Sequence, residues 1–441
     1  MNTMSRTFRG AIGRRPVRGA IGRPVPTTAW AAPRRRYTVA VSAALSAVAL
    51  PLSLLVATPA AAEATWPLRP GALQRWAPGN MAWDAEKVMT QSIAESVARS
   101  YDVVMGTRTT FRGYVPAMRT ANPSLRLFVY LNGVYAQSNE GSKYPESWYA
   151  HDAEGKRVKS RSFGNFMMDM SNPQWWAERA STCKALLAET GYDDCYLDML
   201  GTAPLAPNYN TSKPIDPRTG KVWTTAALLA ADLELARTVR AADPDGLLAS
   251  NGLVHGQRYF KPAGQSPVVL FEQLDAVHAE IFLRDKNTPL GTFKSESAWK
   301  QDVDMLVDVG NRGKVAWTTT KLWNVSGSAT TAQIDRWHKY ALASFLLGSN
   351  GRSYFNFSVK NTVGEVLADH PWDRLPVGDA LGAYAKANGV YRREFTNGMA
   401  LVNPTTASVT VALGATYRTV GGASIASLTL GPNQGEVLLK Q

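Results

Sequence analysis

At 441 residues and 45% apolar composition, the chain has material for one large domain and one small one. Its formal charge of +13 suggests a polyanionic partner, but nine of those charges are the arginines of residues 1–62, a stretch with no lysine and no acid. The remaining +4 is spread thinly, which argues against a nucleic-acid surface.

Residues 1–62 have the plan of an export signal. A basic region ends in Pro33-Arg34-Arg35-Arg36-Tyr37, an apolar run extends from Val39 to Val56, and small residues lead to Ala60-Ala61-Ala62. Cleavage is expected near Ala62-Glu63. The paired arginines resemble a twin-arginine signal, with Pro33 where serine or threonine is usual, and ordinary secretory export is the alternative. The apolar run approaches the roughly 18 residues of a membrane anchor, but Pro51 and the small-residue site favour removal. The mature chain is expected outside the cytoplasm, secreted or held in the cell envelope, without an integral membrane segment.

From about residue 70 onward, short β-rich runs alternate with helical patterns, the βαβα signature of a parallel sheet. The first strand falls near Gln74-Arg75-Trp76, followed by 101–106 (YDVVMG), 125–132 (LRLFVYLN), 195–200 (CYLDML) and 247–252 (LLASNG). Three more follow at 276–283 (AVHAEIFL), 314–320 (KVAWTTT) and 352–359 (RSYFNFSV). Helical spacing marks 90–99, 173–189, 226–241, 298–309 and 332–347. Eight strands with helices between them predict a (β/α)₈ barrel over residues 63–388. An open doubly wound sheet is the alternative, weakened because no Gly-x-Gly-x-x-Gly follows an early strand. After Gly389 the helical spacing stops. Strand-like runs at 391–395, 399–402, 408–413, 424–430 and 435–439, with Asn397-Gly398 as a hairpin signal, predict a small all-β, sandwich-like domain over 389–441.

Barrels of this kind carry reactive groups at the C-terminal ends of their strands. Asp198, ending the apolar run CYLD, is the leading catalytic candidate. Glu280, on one face of its strand with His278 and Phe282, is the second. Acids in apolar strands either pair inside the fold or do chemistry. Two carboxylates suffice to hydrolyse a glycosidic bond with no metal or cofactor. Asn132, Asp169, Asn251, Lys321, Trp323 and Tyr354 are candidates for lining a sugar-binding cup. Asp169, ahead of Ser171-Asn172-Pro173, also fits a capping acid at a helix start. Cys183 and Cys195 are expected as a disulfide in an oxidising exterior, two buried thiols being the alternative; they are too few for a zinc site. No Gly-x-Ser-x-Gly elbow, phosphate-binding loop or His-Glu-x-x-His pair is present, and the five histidines are well separated.

At these residues the chain resembles the barrel-type glycosyl hydrolase families related to the α-amylase and dextranase-like enzymes. The resemblance runs through Tyr101–Gly106, residues 122–132, Met168-Asp169-Met170-Ser171-Asn172-Pro173, Tyr196-Leu197-Asp198-Met199 and Ala279-Glu280-Ile281-Phe282-Leu283, then residues 389–395 and 401–404. It implies a barrel with a C-terminal β-module; together with the leader of residues 1–62, the expectation is an exported glycoside hydrolase acting on an extracellular or envelope polysaccharide. The alternative is a glycan-binding barrel without catalysis. The acid ending the fourth strand serves as nucleophile in that pattern, which carries onto Asp198. The proton donor would come from the fifth strand, where this chain has Asn251, so Glu280 would donate from the sixth. The turn before Asp198 also departs, reading Asp193-Asp194-Cys195 where a glycine is common.

Overall fold

The computed structural model describes residues 65–67, 73–78, 89–349, 351–360, 362, 364 and 370–441. The export leader, its twin arginines and its cleavage site lie outside the described residues.

Seven strands form one parallel sheet in sequence order: β1 (Trp76–Pro78), β2 (Val103–Gly106), β3 (Arg126–Asn132), β4 (Asp194–Asp198), β5 (Leu248–Ser250), β6 (Ala276–Ala279) and β7 (Val315–Thr318). Tyr354 and Phe355 close the ring, pairing in parallel with Trp317 on one side and Arg75 on the other. The Tyr354 N–H donates to the Ala316 carbonyl at 2.8 Å and the Phe355 N–H to Gln74 at 2.9 Å. The eighth strand is thus paired on both sides, continuing at Phe357–Ser358, which runs parallel to Thr320–Lys321, and the barrel alternative prevails over the open sheet.

Alternation along the strands sorts the side chains into two cores. Trp76, Val103, Met105, Phe128, Tyr196, Ala249, Trp317 and Tyr354 fill the barrel interior. Val104, Leu127, Val129, Cys195, Leu197 and Val277 face the surrounding helices. The interior is mainly aromatic: Trp317 lies 5.0 Å from Trp76, 4.8 Å from Phe128 and 5.8 Å from Tyr196 by ring centroids. Trp66 stacks on Phe128 at 5.8 Å, so the segment entering the fold helps to fill the barrel.

The helices start where polar caps precede helical spacing. They are α1 (Gln91–Ser100), α2 (Val115–Ala121), α3 (Pro173–Thr190), α4 (Thr225–Ala242), α5 (Glu296–Asn311) and α6 (Thr331–Gly348). Thr90, Asn172, Thr224, Ser295 and Thr330 accept backbone N–H bonds at their starts, and Gln333 completes a capping box with Thr330. Between β5 and β6 stand only a helical turn at Gly256–Tyr259 and a 3₁₀ segment at Pro267–Glu272.

Asp193 and Asp194 stitch the entry of β4 to its neighbours. Asp193 accepts from the Leu127 N–H at 2.8 Å and from Arg119 at 2.7 Å. Asp194, fully buried, receives both arms of the Arg126 guanidinium and the Leu247 N–H at 2.8 Å. The next residue, Cys195, is joined to Cys183 of α3, with Cα atoms 6.1 Å apart. Non-reducing mass spectrometry should recover this linked peptide pair. Replacing both cysteines by alanine should cost about 2–3 kcal/mol, the entropy of a short closed loop. An unchanged melting temperature would contradict the stabilising role.

The C-terminal region is a six-stranded antiparallel sheet ordered β8-β9-β10-β13-β11-β12, with β8 (Ala385–Ala387), β9 (Val390–Phe395), β10 (Gly398–Asn403), β11 (Val409–Arg418), β12 (Ser424–Leu430) and β13 (Gln434–Lys440). One face packs on α6, and the other closes over its own core of Val390, Met399, Leu401, Val411, Leu413 and Leu438. The hairpin tip is Thr396-Asn397, because Phe395 already pairs with Gly398. Gly398 serves close approach, since a Cβ there would run into the Leu438 carbonyl. Among the described residues no helix is long and apolar enough to cross a membrane.

Candidate active site

Parallel register sets Asn132 directly beside Asp198 at the C-terminal ends of β3 and β4. Asn251 follows β5, Glu280 follows β6, and Lys321 lies three residues beyond the end of β7, so consecutive strands deliver these groups to one rim. The Tyr130 hydroxyl donates to Asp198 Oδ2 at 2.6 Å, and the Asn132 amide stands 3.5 Å from the same oxygen. The Asn251 amide nitrogen donates both to Asp198 Oδ1 and, at 3.3 Å, to Glu280 Oε2. Lys321 Nζ meets Glu280 Oε1 at 2.5 Å. A single amide therefore bridges the two carboxylates, and at about 3 Å per hydrogen bond their nearest oxygens are no more than roughly 6 Å apart.

The environments of the two acids differ. Burial, and next the nearby Glu280 charge, push Asp198 up to about 6. The Lys321 ammonium holds Glu280 down to about 2, against the opposing effect of burial. Protein surrounds Glu280, yet its side chain is 41% exposed, so water reaches it from the open mouth. The Lys321 side chain is only 5% exposed. Beneath the pair, His278 is wedged between the Tyr196 hydroxyl at 3.0 Å and Thr319 Oγ1 at 2.9 Å, and burial pushes it down to about 3, leaving it neutral.

The backbone is strained beside these strands. Met199, Val254 and Leu283 all have positive φ, at 71°, 58° and 65°, in the loops that follow β4, β5 and β6. Gly201 (φ 103°) lets the first two loops touch, since a Cβ would stand 3.1 Å from Gly252 Cα.

The structure brings together Asp198, Glu280, Asn132, Asn251 and Lys321. Trp323 is adjacent: its ring lies 4.8 Å from Lys321 Nζ, and its indole N–H donates to Ser358 Oγ at 2.7 Å. The other two candidates bond to other groups. Asp169 accepts from the N–H and hydroxyl of Ser171, at 3.0 and 2.7 Å, in the turn before α3, the local role its position also allowed. Tyr354 is not at the mouth: it is fully buried in the barrel interior, with its hydroxyl on the Pro67 carbonyl at 3.3 Å. The sequence reading missed Tyr130 and Tyr209. Tyr130 shares a strand face with Asn132, so period-two alternation points to it. Tyr209 comes from the long segment between β4 and α4 and reaches Met199 Sδ at 3.4 Å, close enough to both acids for their charges to raise its phenol further above its ordinary range.

The model of the hypothetical glycosyl hydrolase family 15 matches residues 119–399. Among solved structures, the chain is similar to the maltogenic α-amylase AmyB of Thermotoga neapolitana, at 12% identity over 84% of this chain and 99% of that one, with a TM-score of 0.50. It is also similar to a pullulanase of Anoxybacillus sp. LM18-11 complexed with maltotriose, at 8% identity over 87% and 71%, with a TM-score of 0.51. The glycoside hydrolase domain of PelA from Pseudomonas aeruginosa aligns at 15% identity over 67% and 96%, with a TM-score of 0.43. At such identities the likeness is one of fold. No curated protein matches the chain.

Proposed function

The chain belongs to the hypothetical glycosyl hydrolase family 15, and from that premise we propose that it is an exported glycoside hydrolase that cleaves O-glycosidic bonds of an extracellular or cell-envelope polysaccharide with Asp198 and Glu280. The observation that carries this reading is the amide of Asn251 spanning the two acids at the barrel mouth. Hydrolysis of an acetal needs one carboxyl group to protonate the leaving oxygen and one carboxylate to meet the oxocarbenium-like centre, and two acids with opposite shifts supply both. Asn132, Asn251 and the half-buried face of Trp323 offer hydrogen bonds and a ring surface to a sugar. Export rests on the basic, apolar and small-residue segments of residues 1–62.

The test is a screen of the chain from Glu63 onward against cell-wall glycans, exopolysaccharides and α-glucans for new reducing ends. Release from at least one class, abolished in an Asp198→Asn/Glu280→Gln double variant, is the expected result. Binding without release would leave the glycan-binding barrel as the better reading.

A further inference from the structure

Resting on that reading, we propose that the two acids divide the work opposite to the family pattern: Glu280 is the nucleophile, held by its ion pair with Lys321, and Asp198 is the proton donor and later the base. Lys321 Nζ lies 2.5 Å from Glu280 Oε1, and its side chain is 5% exposed, so little solvent competes for its charge. The groups that bond Asp198 are neutral: the Tyr130 hydroxyl and the amides of Asn251 and Asn132. Two carboxylates bridged by one amide repel when both are charged, so a single proton shared by the pair settles on the acid without the ammonium.

The other titratable groups facing the pair do not reverse this. His278, beneath Glu280, is neutral, and Tyr130, Tyr196 and Tyr209 are all held as phenols by burial and by the carboxylate charges. The shifts agree with the geometry, with Asp198 pushed up to about 6 and Glu280 down to about 2. The amide bridge bounds the nearest oxygens to roughly 6 Å, which admits the ~5–5.5 Å carboxyl separation of retaining enzymes.

The steps balance. A Glu280 oxygen bonds to the anomeric carbon as the glycosidic C–O bond breaks, and the Asp198 proton moves to the departing oxygen. Asp198, now a carboxylate, then takes a proton from water. That water's oxygen bonds to the anomeric carbon as the ester bond to Glu280 breaks, and both side chains return to their starting states.

Two measurements test the proposal. Carbon-13 NMR of the side-chain carboxyls in the chain from Glu63 onward, assigned with Asp198→Asn and Glu280→Gln, needs no substrate. Asp198 should take up the first proton of the pair, and Lys321→Met should raise the Glu280 titration by about 1–3 pH units. First protonation at Glu280 in the unsubstituted chain would overturn the proposal. The second measurement uses the 2,4-dinitrophenyl glycoside of the sugar released in the glycan screen, with added azide. Asp198→Ala should yield a glycosyl azide of retained configuration and Glu280→Ala one of inverted configuration; the reverse pairing would overturn the assignment while leaving the glycosidase reading intact. Inactivity on every glycan would instead count against the glycosidase reading, and the NMR titration would still decide where the proton sits.

Discussion

Asp198→Asn and Glu280→Gln are each expected to lower kcat/KM on the natural polysaccharide by about 10³-fold or more while the protein remains folded. An amide neither donates the required proton nor carries the negative charge that an oxocarbenium-like transition state needs, and it preserves shape. Their melting temperatures should separate. Below about pH 6, where Asp198 holds its proton, Asp198→Asn exchanges a neutral carboxyl for a neutral amide of the same shape, so there it should melt no lower than the unsubstituted protein. Glu280→Gln leaves the Lys321 ammonium without its counter-ion. In a closed core that costs about 3–5 kcal/mol, but with Glu280 41% exposed solvent reduces it to roughly 1–2 kcal/mol. The check is thermal melting beside rate: activity that falls only in proportion to folded protein would make both acids structural.

The pH dependence should be strong on the alkaline side. With Glu280 as nucleophile and Asp198 as proton donor, as proposed, the productive pair holds one proton. Activity therefore rises as Glu280 loses its proton through about pH 2 and falls as Asp198 loses its own through about pH 6. Above that point kcat/KM should drop about tenfold per pH unit. Stability carries the same sign: a carboxyl whose folded value is raised above its unfolded value of 3.8 loses stabilising free energy as pH climbs from there through about 6. Asp198→Asn should remove that part of the slope. A kcat/KM flat from pH 5 to 9, with the substrate shown to bind, would contradict the one-proton pair.

What the sequence shows depends on how local the cause is. The β-rich runs, the capped helices and the turn-separated C-terminal strands follow from periodicity and cap chemistry within a few residues, so the barrel and the β-sheet are legible. Asp198 is legible for the same reason, as an acid ending an apolar strand. Tyr354 misleads because an aromatic in a strand can face either inward or toward the mouth, and only ring closure against Trp317 and Arg75 decides. Asp169 is ambiguous in the sequence because an acid near a helix start serves a local turn as readily as a site. The Lys321–Glu280 pair joins residues 41 apart, and Tyr130 and Asp198 are 68 apart, so no local pattern encodes either contact. The absence of a long helix between β5 and β6 is equally a matter of packing, with the turn at Gly256–Tyr259 held by its N–H on Asp302 at 2.8 Å.

The most direct test of the central claim is to digest the responsive polysaccharide in ¹⁸O-labelled water and weigh the products. One ¹⁸O atom at each new reducing end with the unsubstituted protein, and no release with Asp198→Asn, is the expected result. Unsaturated products lacking the label, or undiminished release by Asp198→Asn, would contradict it.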